Sequence, residues 1–154
     1  MSDKILTIIY GTETGNSSTL AGQVAKRAEK NGVAATVHDM ADYDVSSLAA
    51  LTTPVLFIVS TWDDGLPPSK ARPFYKALAS AAAMPDLSYT VLGMGDQDYE
   101  HFCQAGKDLD AALAKLGAKS FLPRTDMGAD FQVTYIGWAK RFWQALAGIY
   151  GIAK

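Results

Sequence analysis

The sequence has one cysteine, Cys103, two histidines, and no apolar run approaching the ~20 residues that span a bilayer. A lone cysteine cannot close an internal disulfide, and no Cys/His cluster has the spacing of metal ligands. The opening Met1-Ser2-Asp3-Lys4 leads straight into a strand pattern, without the features of a secretory signal. Together these absences point to a reducing, cytoplasmic setting with no membrane partner. An excess of base is missing too: 14 Lys and Arg against 16 Asp and Glu give a formal net charge of −2. Nucleic-acid binders carry a basic excess or stripe, so the balance argues against that class. Internal repeats, long linkers and low-complexity tracts are also absent. At 154 residues, 49% of them apolar, the chain suits one domain with a full core and is too short for two ordinary ones. Residues 1–154 are therefore expected to form a single unit.

Five apolar, β-rich runs are present: Lys4–Tyr10, the weaker Val33–His38, Val55–Val59, Leu87–Leu92 and the short Lys119–Leu122. The first and third are nearly continuous rather than alternating, as expected of strands covered on both faces. Amphipathic stretches separate them. Leu20, Ala21, Val24, Ala25 and Ala28 form a helical stripe that stops before Asn31-Gly32. Ala71, Phe74, Tyr75 and Leu78 repeat the pattern, with Pro73 tolerable only in the first turn. Leu109, Ala112, Leu113 and Leu116 follow, ending at Gly117; Tyr135, Ala139, Phe142 and Leu146 mark a last helix, and Asp44 to Leu51 a short one. Strand–helix alternation of this kind predicts an α/β fold, a three-layer doubly wound five-stranded parallel sheet of order 2-1-3-4-5. Ligands of such sheets bind at the carboxyl ends of the strands, where the winding reverses. The loops after the first, third and fourth strands should meet there.

Those three loops are the most unusual in the chain. Gly11 to Ser17 resembles a phosphate loop, but Gly15 is followed by Asn16 and Ser17, so the lysine of the triphosphate motif is missing and the spacing is one residue short. What remains is a cup of backbone N–H groups at a helix start, lined by the hydroxyls of Thr12, Thr14 and Ser17; a helix N-terminus holds an anion without a cationic side chain. A plain helix cap by Asn16 or Ser17 is the alternative. The loop from Ser60 to Pro68 carries Trp62 between polar neighbours, and an indole on a loop covers something apolar, either a ligand or an adjacent loop. Gly93-Met94-Gly95 lacks the third glycine of a dinucleotide fingerprint, since Asp98 stands there. That loop adds Tyr99. Two aromatics beside one phosphate cup suggest a flat heteroaromatic ring bearing a single phosphate.

The set Thr12-x-Thr14-Gly15-Asn16-Ser17, Ser60-Thr61-Trp62 and Gly93-x-Gly95-Asp96-x-x-Tyr99-x-x-Phe102-Cys103 resembles the flavodoxin family, in order and in position relative to the strands. The length is similar to that of short-chain members, with no room for the insertion that splits the last strand in long-chain ones. The tail Asp126-Met127-Gly128-Ala129-Asp130-Phe131 is more like the FMN domains of diflavin reductases. The resemblance implies FMN as cofactor. Thr12, Glu13, Thr14, Gly15, Asn16 and Ser17 would hold its phosphate. Trp62 would stack on the inner ring face and Tyr99 on the outer, while backbone groups from Thr61 through Asp63 to Asp64, and from Gly95 to Asp98, would meet the ring edge. Ser60, Gly65, Gly93, Met94, Phe102 and Cys103 complete the expected cofactor-binding set; no catalytic or metal-binding residue is implied.

The implied activity is that of a low-potential one-electron carrier rather than an enzyme. It would take electrons from a flavin reductase and pass them to metabolic redox enzymes that dock at an acidic rim, acting as a monomer. Glu13, Asp63, Asp64, Asp96, Asp98 and Glu100 all lie in the three loops, with His101 the one base among them. Fully reduced flavin is an anion. One like charge at ~10 Å and an effective dielectric of ~20 costs about 1.7 kcal/mol, on the order of 70 mV per electron. Such a field favours a strongly reducing semiquinone/hydroquinone couple. Asp63 departs from the Gly or Asn common after the Trp, and positive φ costs Asp more than Gly, so semiquinone stabilisation is expected to be weaker than in Gly-bearing relatives. The net charge is also mild for the family. A self-sufficient FMN-dependent quinone or nitro reductase using NAD(P)H is the second reading. A receiver-type signalling domain would need an acidic residue where the third strand ends in Ser60-Thr61.

Overall fold

The computed structural model describes residues 4–12, 15–61, 67–95, 103–128 and 131–151; the side chains of residues 16, 131 and 132 are outside that description. The continuous apolar runs become strands whose successive side chains enter two different cores. In β1 (Ile5–Gly11), Leu6 and Ile8 point to one face and Ile9 to the other; in β3 (Val55–Ser60), Leu56 and Ile58 oppose Val55, Phe57 and Val59. Both sides of a strand are buried only when helices cover both faces of the sheet, which removes the polar alternation. The order is β2-β1-β3-β4-β5, all parallel, as expected from the sequence. The other strands here are β2 (Ala34–Asp39), β4 (Ser88–Met94) and β5 (Lys119–Ser120).

One face is covered by α1 (Asn16–Lys30) and α4 (Phe131–Tyr150), through Leu20, Val24, Trp138, Phe142 and Leu146. The other is covered by α2 (Arg72–Ala79) and α3 (Gln104–Lys115), through Phe74, Leu78, Leu109 and Leu113. Trp138 and Phe142, one turn apart, stack at 4.9 Å between centroids and are fully buried. Asn31-Gly32 stops α1 as expected, with Gly32 at φ 80°. Pro73 falls in the first turn of α2, where its missing N–H costs nothing. Asp44 to Leu51 forms a 3-10 turn, Val45–Ala50, capped by the Asp44 carboxylate accepting from the Ser46 N–H at 3.0 Å.

The fifth strand departs from expectation. Lys119–Leu122 was expected to be one strand, yet only Lys119–Ser120 pairs regularly, with Ser88 and Tyr89. A further strand, β6 (Thr125–Met127), pairs with Leu92, Gly93 and Met94 on the same side of β4. The two pieces form one broken edge. Pro123 has no N–H to offer the ladder, and Phe121 and Leu122 turn towards the core shared by α1 and α4. The buried Thr90 bridges the gap: its hydroxyl donates to the Leu122 carbonyl at 2.9 Å. Among the described residues, no helix is long and apolar enough to cross a membrane.

Candidate functional site

The carboxyl ends of β1, β3 and β4 finish side by side, Gly11 level with Val59 and Ser60 level with Met94. β1 is flanked by β2 and β3, so the connections turn in opposite directions from it and leave a crevice at its end. Three loops leave the sheet there, and their feet are described.

The first loop is shaped by a local bond: the Gly15 N–H donates to Thr12 Oγ1 at 2.7 Å. Gly15 sits at φ 94°, ψ −5°, in left-handed space, and among the described residues, its chain neighbours and its own helix backbone aside, no heavy atom lies within 4 Å of where a Cβ would stand. The chain then enters α1 with no side-chain cap and no acid in the first turn. The hydroxyls of Ser18 and Thr19 donate back to the Gly15 carbonyl, at 2.9 and 3.0 Å. Helix geometry aims the amides of this first turn outward, and the helix dipole adds positive potential. The start of α1 thus suits a compact anion approached by backbone alone.

Ser17 was expected to line the cup with its hydroxyl. The side chain is fully buried; its Oγ lies 2.7 Å from Ser60 Oγ and donates to Met94 Sδ at 3.6 Å. Ser60 and Thr61 tie the second loop to its neighbours. The Thr61 N–H donates to the Met94 carbonyl at 2.8 Å, and Thr61 Oγ1 accepts the Ala105 N–H at 2.9 Å. That last bond caps α3 from 44 residues away, because Cys103, at the N-cap in left-handed space with φ 53°, supplies no cap itself.

The foot of the third loop is compressed. A Cβ on Gly95 would stand 2.9 Å from the Cys103 amide nitrogen, so glycine lets the two ends of that loop meet. Cys103 is fully buried and its thiol donates to the Met127 carbonyl at 3.5 Å. Burial, with the Asp126 carboxylate second, pushes its thiol up to about 12. A thiol so placed is packing, not a nucleophile. Glu13, Thr14, Trp62, Asp63, Asp64, Gly65, Asp96, Tyr99 and Phe102 lie outside the described residues.

One cluster escaped the sequence reading. The Arg124 guanidinium donates through Nη1 to Asp110 Oδ2 at 3.0 Å and through Nε to Asp126 Oδ1 at 3.1 Å. Tyr89 donates to the other Asp110 oxygen at 2.6 Å. Alternation of Arg124 and Asp126 about Thr125 would have signalled one strand face, had β6 been legible. Among the described residues, no His, Cys, Asp and Glu group is placed to hold a metal.

The flavodoxin family model matches residues 8–136. Among curated proteins the chain is similar to the sulfite reductase [NADPH] flavoprotein alpha-component of Vibrio vulnificus, 39% identical over 138 residues. The equivalent protein of Bacillus subtilis is 38% identical over 137 residues. Each alignment covers 88% of this chain but 22% of the relative, so the chain spans about a fifth of these relatives' length. Among solved structures it is similar to a short-chain flavodoxin associated with a bacterial microcompartment, at TM-score 0.72 and 26% identity, covering 81% of this chain and 84% of that one. The flavodoxin of Streptococcus pneumonia TIGR4 also gives TM-score 0.72 at 26% identity, covering 80% and 84%.

Proposed function

Because the chain belongs to the flavodoxin family, we propose that it is a low-potential one-electron carrier between an NADPH-linked flavin reductase and acceptor redox enzymes. Its cofactor is FMN, and the chain is an electron-transport flavoprotein. The described residues fit that group. The space over Gly15 and the uncapped start of α1 suit a terminal phosphate, and the feet of the two remaining loops stand on the same edge. The observation that carries the reading is this junction, where Ser17, Ser60, Thr61, Met94 and Ala105 are joined by hydrogen bonds at the strand ends.

Bound FMN supplies the one-electron chemistry, so the protein has to bind, orient and shield. Gly15 and the first-turn amides of α1 would hold the phosphate. Trp62 and Tyr99 would wall the ring, with the backbone of Thr61 to Asp64 and Gly95 to Asp98 at its edge. Ser17, Ser60 and Thr61 keep the loop feet in register, which limits rearrangement when charge changes. The acids of the loops would make the field around the ring negative and the carrier strongly reducing.

The likeness to NADPH-dependent sulfite reductase flavoproteins supports an NADPH-linked donor. It also keeps the second reading, direct NADPH oxidation, in play as a contrast. Purified protein should be yellow and should bind added FMN stoichiometrically. Stepwise reduction followed in the visible should resolve two one-electron steps, and NADPH should be consumed only when a separate flavin reductase is added. A colourless protein that ignores FMN rejects the assignment, and steady NADPH consumption by the chain alone replaces carrier with reductase.

A further inference from the structure

The Arg124 cluster sits under the foot of the third loop. Asp126 is level with Gly93 on β4, and its Oδ1 lies 3.2 Å from where a Gly93 Cβ would stand, with Cys103 Cβ at 3.5 Å from the same point. Gly106, in the first turn of α3, packs against Gly93 on the same spot. The carboxylate is therefore wedged where β4, β6 and α3 converge. Asp126 and Arg124 both act on the Cys103 thiol, in opposite directions. Arg124 reaches Asp126 with one arm of its fork and Asp110 with the other, and Tyr89 fixes Asp110 from the core side. The two ion pairs are about three-quarters shielded: the side chains of Arg124, Asp110 and Asp126 are 28%, 25% and 22% exposed. One guanidinium serves two carboxylates, through Nη1 to Asp110 and Nε to Asp126.

We infer that Arg124 is a positioning residue for the flavin site, holding Asp126 against Gly93 and Cys103 at the foot of the third loop and setting the charge there. This inference rests on the reading that the chain carries FMN. A guanidinium fork is the group for the task, because it spans two carboxylates in fixed geometry where an ammonium makes a point contact. Reduction adds negative charge to the flavin, so each charge removed from the cluster should move the midpoint potential in a direction fixed by its sign.

The test uses FMN-loaded protein with Arg124→Gln, Asp126→Asn, the double variant and Arg124→Lys. Midpoint potentials, FMN dissociation constants and thermal unfolding of the FMN-free chain are read for each. Arg124→Gln should lower the potential, Asp126→Asn should raise it, and the double variant should return towards the parent. Arg124→Lys keeps the charge and loses the fork, so it should hold the parent potential while FMN affinity falls several-fold. A structural role alone would shift both single variants the same way or not at all, and that result overturns the inference. Asp126→Asn is isosteric and decides the sign by itself should Arg124→Gln fail to fold. Loss of FMN binding by the parent protein would instead strike the carrier assignment.

Discussion

Ser17 and Cys103 show how burial sets what a polar side chain does. The Ser17 hydroxyl spends its bonds on Ser60 and Met94, so Ser17→Ala should cost the FMN-free chain about 1–2 kcal/mol, read by urea unfolding. A hydroxyl acting on phosphate directly would instead leave that stability unchanged and lower affinity alone. Cys103 holds its proton to about 12 in the fold. Its alkylation at pH 8 should therefore be slower than in the unfolded chain by on the order of a thousandfold. The sign of the linked stability follows. The unfolded chain loses this proton first, near 9, so the native advantage is complete below that pH and declines as pH rises from about 9 to about 12. Alkaline unfolding midpoints of the parent and Cys103→Ala should diverge in that window. These roles were not legible in the sequence, where a hydroxyl or thiol beside a glycine reads the same whichever way it points. What was legible is that the ends of β1, β3 and β4 meet, because the strand order follows from the alternation of apolar runs and helical stripes.

At the scale of elements, the strands with two buried faces and the helices stopped by Gly32 and Gly117 were readable, since each carries its own period and punctuation. The broken edge was not. Thr125-Asp126-Met127 has no strand signature, and becomes β6 only because Leu92 to Met94 present a free ladder beside it. Thr90 was equally silent, one residue in an apolar run whose hydroxyl turns out to hold the break closed. Thr90→Val keeps the shape and removes that bond, while the Ser120 hydroxyl still donates to the Leu122 carbonyl at 2.6 Å. It should cost about 0.5–1.5 kcal/mol in chemical unfolding, with amide exchange rising first around Phe121 and Lys119. The cap that Thr61 lends α3 was invisible for a related reason: local rules look for caps within a few residues, and this one comes from the neighbouring loop.

For the whole molecule, ligand and fold are linked by mass action. FMN at one hundred times its Kd should stabilise the chain by about 2.7 kcal/mol. That amounts to a rise in Tm of roughly 5–10 °C for a domain of this size, measured by calorimetry. Riboflavin, without the phosphate, should give a smaller rise. The net charge of −2 keeps long-range attraction to a basic partner weak, so partner choice rests on the local surface around the ring. The discontinuous rim of the sheet bears on a different property, self-association. Lys119–Ser120 and Thr125–Met127 are each too short to template an incoming chain, and Pro123 with the Arg124–Asp126 pair interrupts them. Among the described residues, the continuous rail left for cross-pairing between copies is β2, where Val37 is 40% exposed. Should concentrated protein aggregate, the nucleating contact belongs at that end of the sheet.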